Sequence, residues 1–134
     1  MFKWFIALHV WLYRMLGGRG VDLGGRVLLL TTRGRKSGKE RTVPLMFLRD
    51  GEGYLLAASA AGQPKHPAWF FNLRDNPEVT VQVGSRVRKM KARAVTSGEE
   101  REALYRRFEE WDPRFSGYRS KTERVIPVVV VRPA

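Results

Sequence analysis

Hydrophobic positions fall into two regimes along the chain. Residues 2–16, FKWFIALHVWLYRML, are apolar apart from Lys3, His9 and Arg14. On a helical wheel Lys3 and Arg14 share one face and His9 lies opposite, which predicts a helix. Its fifteen residues fall short of the roughly 20 that span a bilayer, and LGGRG follows instead of a small-residue cleavage site. Beyond the link GGRGVDLGG the pattern becomes that of strands, predicted at 26–32, 41–49, 53–60, 78–83, 86–95 and 124–131. DGEG marks a hairpin turn between the second and third. In the fifth, Lys89, Lys91 and Arg93 alternate with Met90, Ala92 and Ala94, so one face is wet and the other packed.

Two helices interrupt the strands. HPAWFFNLRDNP has Pro67 near its first turn and stops at Asn76-Pro77, and SGEEREALYRRFEEW opens with Ser97 and Glu100 at capping-box spacing. Strands in runs, with short helices in the connections and no βαβ alternation, argue for a small mixed or antiparallel barrel. With 134 residues, 43% of them hydrophobic, the chain has material for one real core. The division expected is an N-terminal helix with its Gly-rich link at 1–23 and a barrel at 24–134.

Charge narrows the function classes. The chain carries 25 Lys and Arg against 13 Asp and Glu, and residues 1–49 alone hold ten basic side chains against two acidic ones, a net of +8. Such an excess points to an acidic partner and says nothing of fold. Without cysteine there is neither a disulfide framework nor thiolate chemistry, in keeping with a cytoplasmic setting. His9 and His66 have no partner at metal-ligand spacing, so no metal site is expected. No nucleophile-elbow pattern is present, so a cofactor is expected to carry any chemistry.

The densest basic stretch, TTRGRKSGKERTVPL at 31–45, places Arg33, Arg35, Lys36, Lys39 and Arg41 within nine residues. It is not a Walker A loop: Gly34 and Gly38 are separated by only three residues, and Glu40 stands where the magnesium-binding hydroxyl would be. Nor does it suit nucleic acid, since residues 33–41 contain no aromatic to stack on bases. A solvated turn whose charges serve solubility is the plain alternative. Strands on either side, however, would hold Arg35, Lys36 and Arg41 in fixed positions suited to one compact phosphate. On spacing alone, Trp69, Phe70 and Phe71 belong to a core as readily as to a cofactor site, and Asn72 could simply brace backbone groups. Pro44 and Pro127 mark strand edges or bulges.

Three segments, LLLTTRGRKSGKERTVPLMFLRDGEGYLLAAS, KHPAWFFNLRDNPEVTVQVG and YRSKTERVIPVVVVRP, together resemble the deazaflavin-dependent nitroreductase family, over about residues 24–133. The resemblance implies a mainly β (α+β), six-stranded split β-barrel, FMN-binding-like, with short connecting helices. It implies coenzyme F420 as cofactor, FMN being the weaker choice, with its phosphate on Arg35, Lys36 and Ser37, Arg41 joining from the next strand, and its tail over the basic surface. Thr42, Val43 and Pro44, together with Ala57, Ala58, Ser59 and Ala60, would line the ring, partly through backbone groups, with Met46 a neighbour. Ala68, Trp69 and Asn72 would close the site, with Trp69 as an apolar wall. Some relatives carry Lys at position 60, a contact that Lys65 could take over. Tyr118 matches a tyrosine on the substrate side of the ring, the one residue with an implied catalytic role.

The activity implied is hydride transfer from reduced F420 to a small-molecule acceptor, a quinone, an enone or a nitroaromatic. The apolar helix of residues 2–16 is expected either to pack on the barrel or on a dimer mate, or to make peripheral contact with the inner face of the cell membrane, and the latter favours a lipid-soluble quinone as acceptor. The rival is a non-catalytic split barrel that stores or carries a flavin, a deazaflavin or haem. Barrel edges and the apolar helix leave room for a homodimer.

Overall fold

The computed structural model describes residues 2–18 and 25–134, with side chains from residue 6 onward. Helix α1 (Phe2–Leu16) leads to strands β1 (Val27–Arg33), β2 (Glu40–Met46), β3 (Leu48–Asp50) and β4 (Gly53–Ala57). A single 3₁₀ turn (Ala60–Gly62) and α2 (Ala68–Asp75) precede β5 (Glu78–Val83) and β6 (Arg86–Val95). Helices α3 (Gly98–Trp111) and α4 (Arg114–Lys121) then lead into β7 (Val128–Pro133).

All seven strands form one sheet in the order β2-β1-β5-β6-β7-β4-β3, antiparallel at every pairing. Strands β2 and β3 are separated by Phe47 alone yet occupy opposite edges. Two Cα–Cα steps reach about 7 Å at most, so the sheet curls until its edges nearly meet, giving a half-barrel. The Phe47 N–H donates to the Arg26 carbonyl at 3.1 Å, and its buried ring meets Tyr54 edge-on at 5.3 Å.

Strand alternation sorts the apolar side chains into three groups. Inside the curl, Leu28, Leu30, Val79, Val81, Met90, Val129 and Val131 surround Trp69, Phe70 and Leu73 of α2, which plugs the barrel. On the outer face of β1, Val27 and Leu29 pack against Val10 and Tyr13 of α1. The Tyr13 hydroxyl donates to the Val27 carbonyl and accepts from the Gly84 N–H, both at 2.9 Å. On the outer face of β4 and β7, Leu55, Val128 and Val130 pack against Tyr105 and Phe108 of α3 and Phe115 of α4.

The departures from the sequence expectation are local. The pattern predicts one long strand over 41–49; Phe47, buried at the bend, divides it, so the described residues form seven strands instead of six. The last strand begins at Val128 and not at residue 124, because Pro127 has no N–H to give the ladder. Helix α4 was not anticipated: it buries only Phe115 and contains Gly117 and two serines, so its amphipathic signal is weak. The expected capping box at Ser97 is absent. Ser97 makes no side-chain cap, and Glu100 instead receives two hydrogen bonds from Arg93 at 2.9 Å.

Candidate active site

The β1–β2 connection is a tight turn fixed from within. Gly34 N–H donates to the Lys39 carbonyl and Gly38 N–H to the Gly34 carbonyl, both at 2.8 Å, while Lys39 N–H reaches Ser37 Oγ at 3.2 Å. A Cβ at Gly34 would lie 2.7 Å from Ser37 Oγ and 3.2 Å from the Lys39 carbonyl, so any side chain there would displace Ser37 from the turn. Helix α2 ties this turn to the barrel. Buried Asn72 accepts the Arg35 N–H at 3.1 Å through Oδ1 and donates through Nδ2 to the buried Thr32 hydroxyl at 3.2 Å. The Arg35 guanidinium lies over the Phe71 ring, 4.7 Å from its centroid.

Around this frame the expected residues divide into three neighbourhoods. Arg35, Lys36 and Ser37 line a hollow with Asn72. Arg35 also borders a second hollow, of about 550 Å³, with Lys65, His66, Ala68, Phe71 and Arg124. Arg41 and Thr42 line a third, facing Trp11 and Arg14 of α1. Arg41 therefore starts beside the turn, its Cγ 3.9 Å from where a Gly34 Cβ would sit, but borders different space from Arg35. The Thr42 hydroxyl shares a 2.8 Å hydrogen bond with Thr31 and accepts from Arg14 at 3.1 Å.

The apolar candidates also separate by strand face. Val43 and Ala58 join Trp69 in the interior cluster. Trp69 is only 8% exposed, so it is a core residue before it is anything else. Met46 packs toward α1, with the Arg114 guanidinium 3.8 Å from its sulfur. Pro44 lies on edge strand β2, where its missing N–H costs the sheet least. Ala57 belongs to the α3–α4 cluster, as does half-buried Tyr118, whose ring stands edge-on to Phe115 at 5.4 Å. After Ser59 the chain turns left-handed: Ala60 (φ 46°), Ala61 (φ 53°) and Gly62 (φ 78°) follow one another. Helix α4 packs on this turn, since a Cβ on Gly62 would come within 3.1 Å of the Tyr118 carbonyl.

Across residues 4–133 the chain matches the family model of the F420H(2)-dependent quinone reductases. The chain belongs to this family. Membership makes the protein an oxidoreductase that depends on coenzyme F420. A putative F420H(2)-dependent quinone reductase of Mycobacterium tuberculosis is 42% identical over 106 residues, covering 79% of this chain and 88% of the relative. A second from the same species is 37% identical over 134 residues, 94% of this chain and 88% of the relative. Among solved structures, an F420-H2 dependent reductase is 44% identical with a TM-score of 0.72, covering 80% of this chain and 94% of that one. A chain described as a domain-swapped dimer is 40% identical with a TM-score of 0.75, over 94% and 93%. The haem storage protein HutZ of Vibrio cholerae, 16% identical with a TM-score of 0.63 over 84% of each chain, shares the split-barrel fold alone.

The residues present fit the coenzyme of these F420H(2)-dependent quinone reductases. F420 is an anion with a phosphate, a carboxylate tail and a flat ring. The hollow at Arg35, Lys65, His66 and Arg124 contains no acidic side chain, and the one at Lys36 and Ser37 contains only Asp75. The Arg35–Ser37 turn is compact, with the Gly34 Cα hydrogen side close to Ser37 Oγ and the Lys39 carbonyl, and Val43, Ala58 and Trp69 form part of the interior apolar cluster that includes α2.

Sequence reasoning gave no role to Arg124 or to the Thr32 hydroxyl, and weighed His66 as a metal ligand without finding it a partner at the right spacing. In a chain with 25 basic side chains nothing marks Arg124; what distinguishes it is its set of partners. Its guanidinium shares a 2.7 Å hydrogen bond with His66 Nδ1. Burial first, then the charges of Arg124 and Arg74, hold the His66 pKa below its ordinary 6.5. The folded protein therefore binds fewer protons at this site than the unfolded chain. Stability due to neutral His66 is present above about pH 6.5 and is lost as pH falls below it. His66→Asn, which keeps an acceptor and cannot titrate, is expected to flatten the fall in melting temperature between pH 7 and 5; an unchanged slope would assign it to other groups.

Proposed function

We propose that this protein passes hydride from reduced F420 to a lipid-soluble quinone. The observation that carries the reading is the α2 bridge. Asn72 fixes the cationic Arg35–Ser37 turn to the same helix that brings Trp69 beside Val43 and Ala58, so anion binding and ring packing share one rigid element. Bound reduced F420 would supply a hydride from carbon 5 of its deazaflavin ring. Arg35, Lys36 and Ser37 bind the phosphate, with Arg41 and Lys65 extending the cationic surface under the tail. The Thr42–Pro44 edge and the Ala57–Ala60 segment orient the ring through backbone groups, Met46 flanks it, and Ala68, Trp69 and Asn72 close the site against water. Rigid placement of this kind is the protein's main contribution to a reaction that needs no protein nucleophile.

Tyr118 presents its hydroxyl from α4, the helix packed on the Ala60–Gly62 turn, and orients the acceptor oxygen there. Tyr118→Phe is expected to lower turnover about a hundredfold or more, the low end of what a lost acid–base group costs, with little change in F420 affinity. Unchanged turnover would remove Tyr118 from the chemistry. The direct test of the whole reading is anaerobic oxidation of F420H2 by the purified protein with and without menadione. Acceptor-dependent oxidation with no response to FMN is expected. Tight FMN binding without F420 binding, or F420 binding with no oxidation, would refute it.

Quinone supply is the reason for the membrane in this reading. Among the described residues no helix is long and apolar enough to cross a bilayer, but Leu8, Trp11, Met15 and Leu16 of α1 are exposed beside the cationic Arg14. That is the composition of a helix lying on a membrane surface. Trp11→Ser with Met15→Ser should abolish co-sedimentation with anionic liposomes and leave reduction of menadione, a quinone without an isoprenoid tail added from solution, intact. Co-sedimentation equal to wild type would overturn the assignment.

A further inference from the structure

Two consecutive alanines with left-handed backbone are rare, because each pays a steric cost that glycine escapes. Here Ala60 and Ala61 both adopt it, at the end of the segment assigned to the ring. What holds them lies across the fold. Arg124, just before β7, donates through Nη1 to the Ala58 carbonyl at 3.1 Å, through Nη2 to the Ser59 carbonyl at 2.7 Å, and through Nε to the Gln63 carbonyl at 2.8 Å. Its fourth contact is His66 Nδ1 at 2.7 Å. One planar guanidinium thus binds both ends of the left-handed turn and the approach to α2. Among the described residues no carboxylate lies within ion-pair distance of Arg124, so carbonyl dipoles take the place of a counter-ion.

We propose that Arg124 is a positioning residue of the active site: by spanning Ala58, Ser59, Gln63 and His66 it locks residues 60–62 in the left-handed turn that sets the wall for the deazaflavin ring. The proposal rests on the placement of the ring given above. It assigns Arg124 no contact with coenzyme or acceptor. The turn's own bonds, Gly62 N–H to the Ser59 carbonyl at 2.8 Å and Gln63 N–H to the Ala60 carbonyl at 3.1 Å, are too few to hold two alanines there alone. Lysine at 124 would keep the charge but could not reach three carbonyls at once, since its ammonium is a point and not a fork.

The test begins without coenzyme. Hydrogen exchange on the apo protein should show the Gly62 and Gln63 amides exchanging at least about tenfold faster in Arg124→Lys than in wild type, the scale of one residue's left-handed cost, while amides of β5 and β6 are unchanged. F420 affinity, followed by fluorescence, should fall by a similar factor in Arg124→Lys. It should be partly restored when Ala60→Gly and Ala61→Gly are added, because glycine adopts positive φ freely. Unchanged exchange in Arg124→Lys would overturn the proposal. So would an affinity loss that glycine does not repair, which would make Arg124 a direct anion contact. Failure of wild type to bind F420 would instead refute the placement of the coenzyme, and the exchange result would still decide whether Arg124 locks the turn.

Discussion

Replacing Arg35 and Lys36 together with alanine is expected to weaken F420 binding by about a hundredfold or more, with the melting temperature nearly unchanged. Both side chains are exposed, so their removal leaves no cavity and strands no buried partner. What goes, in the proposed binding mode, is a pair of charge-assisted hydrogen bonds to the phosphate, about 1.5–3 kcal/mol each when well placed. The Arg35 N–H stays on Asn72 in the variant, so the turn keeps its shape and the loss reports on charge. Titration followed by coenzyme fluorescence measures it. Added salt should narrow the gap between wild type and variant, because salt screens exposed charges. An affinity loss below about threefold, small on the scale of even one such bond, would move the phosphate elsewhere, the Arg41 side of the turn being the next place to look.

Asn72→Ala should act on stability and affinity at once. The side chain is 6% exposed and joins three elements, accepting from Arg35 and donating to Thr32, itself 2% exposed. Truncation leaves the Thr32 hydroxyl and the Arg35 amide without these partners, at a cost of about 1–3 kcal/mol for each group left buried and unsatisfied. The expected result is a drop of several degrees in melting temperature and weaker F420 binding that persists well below the melting range. Asn72→Asp separates the two effects: its carboxylate still accepts from Arg35 but places a negative charge beside the proposed phosphate. Asp should therefore lose more affinity than Ala. If Asp binds F420 better than Ala, the anion does not lie beside α2.

Much of this was legible from residues alone, and the reasons differ by element. The alternation of Lys89, Lys91 and Arg93 with Met90 and Ala92 located β6 and its packed face, because a sheet half in water must alternate. The Arg35–Lys36–Ser37 cluster was legible because glycine on either side marks a turn between strands. Helix α4 was not legible, since a helix burying one phenylalanine writes little periodicity into its sequence. The break at Phe47 was hidden for the opposite reason: an aromatic inside an apolar run looks like more strand, and only the closure of the sheet makes it a bend. The Arg124 contacts were out of reach because they are made over more than 55 positions of sequence, and no local pattern carries such a distance. Asn72 could be singled out through family resemblance, whereas its partner Thr32 looked like any strand threonine.

Because β2 passes into β3 through one residue at opposite edges of the sheet, the barrel's curvature is set by the length of the chain as well as by the bonds across its seam. A hydrogen-bonded seam can peel open a pair at a time; a covalent tether cannot lengthen. The consequence is unequal sensitivity to insertion. Extra residues in the Gly51–Glu52 turn would only enlarge a loop, whereas even two or three glycines placed beside Phe47 would slacken the tether and let the sheet flatten, drawing the Val43 wall away from Ala58 and Trp69.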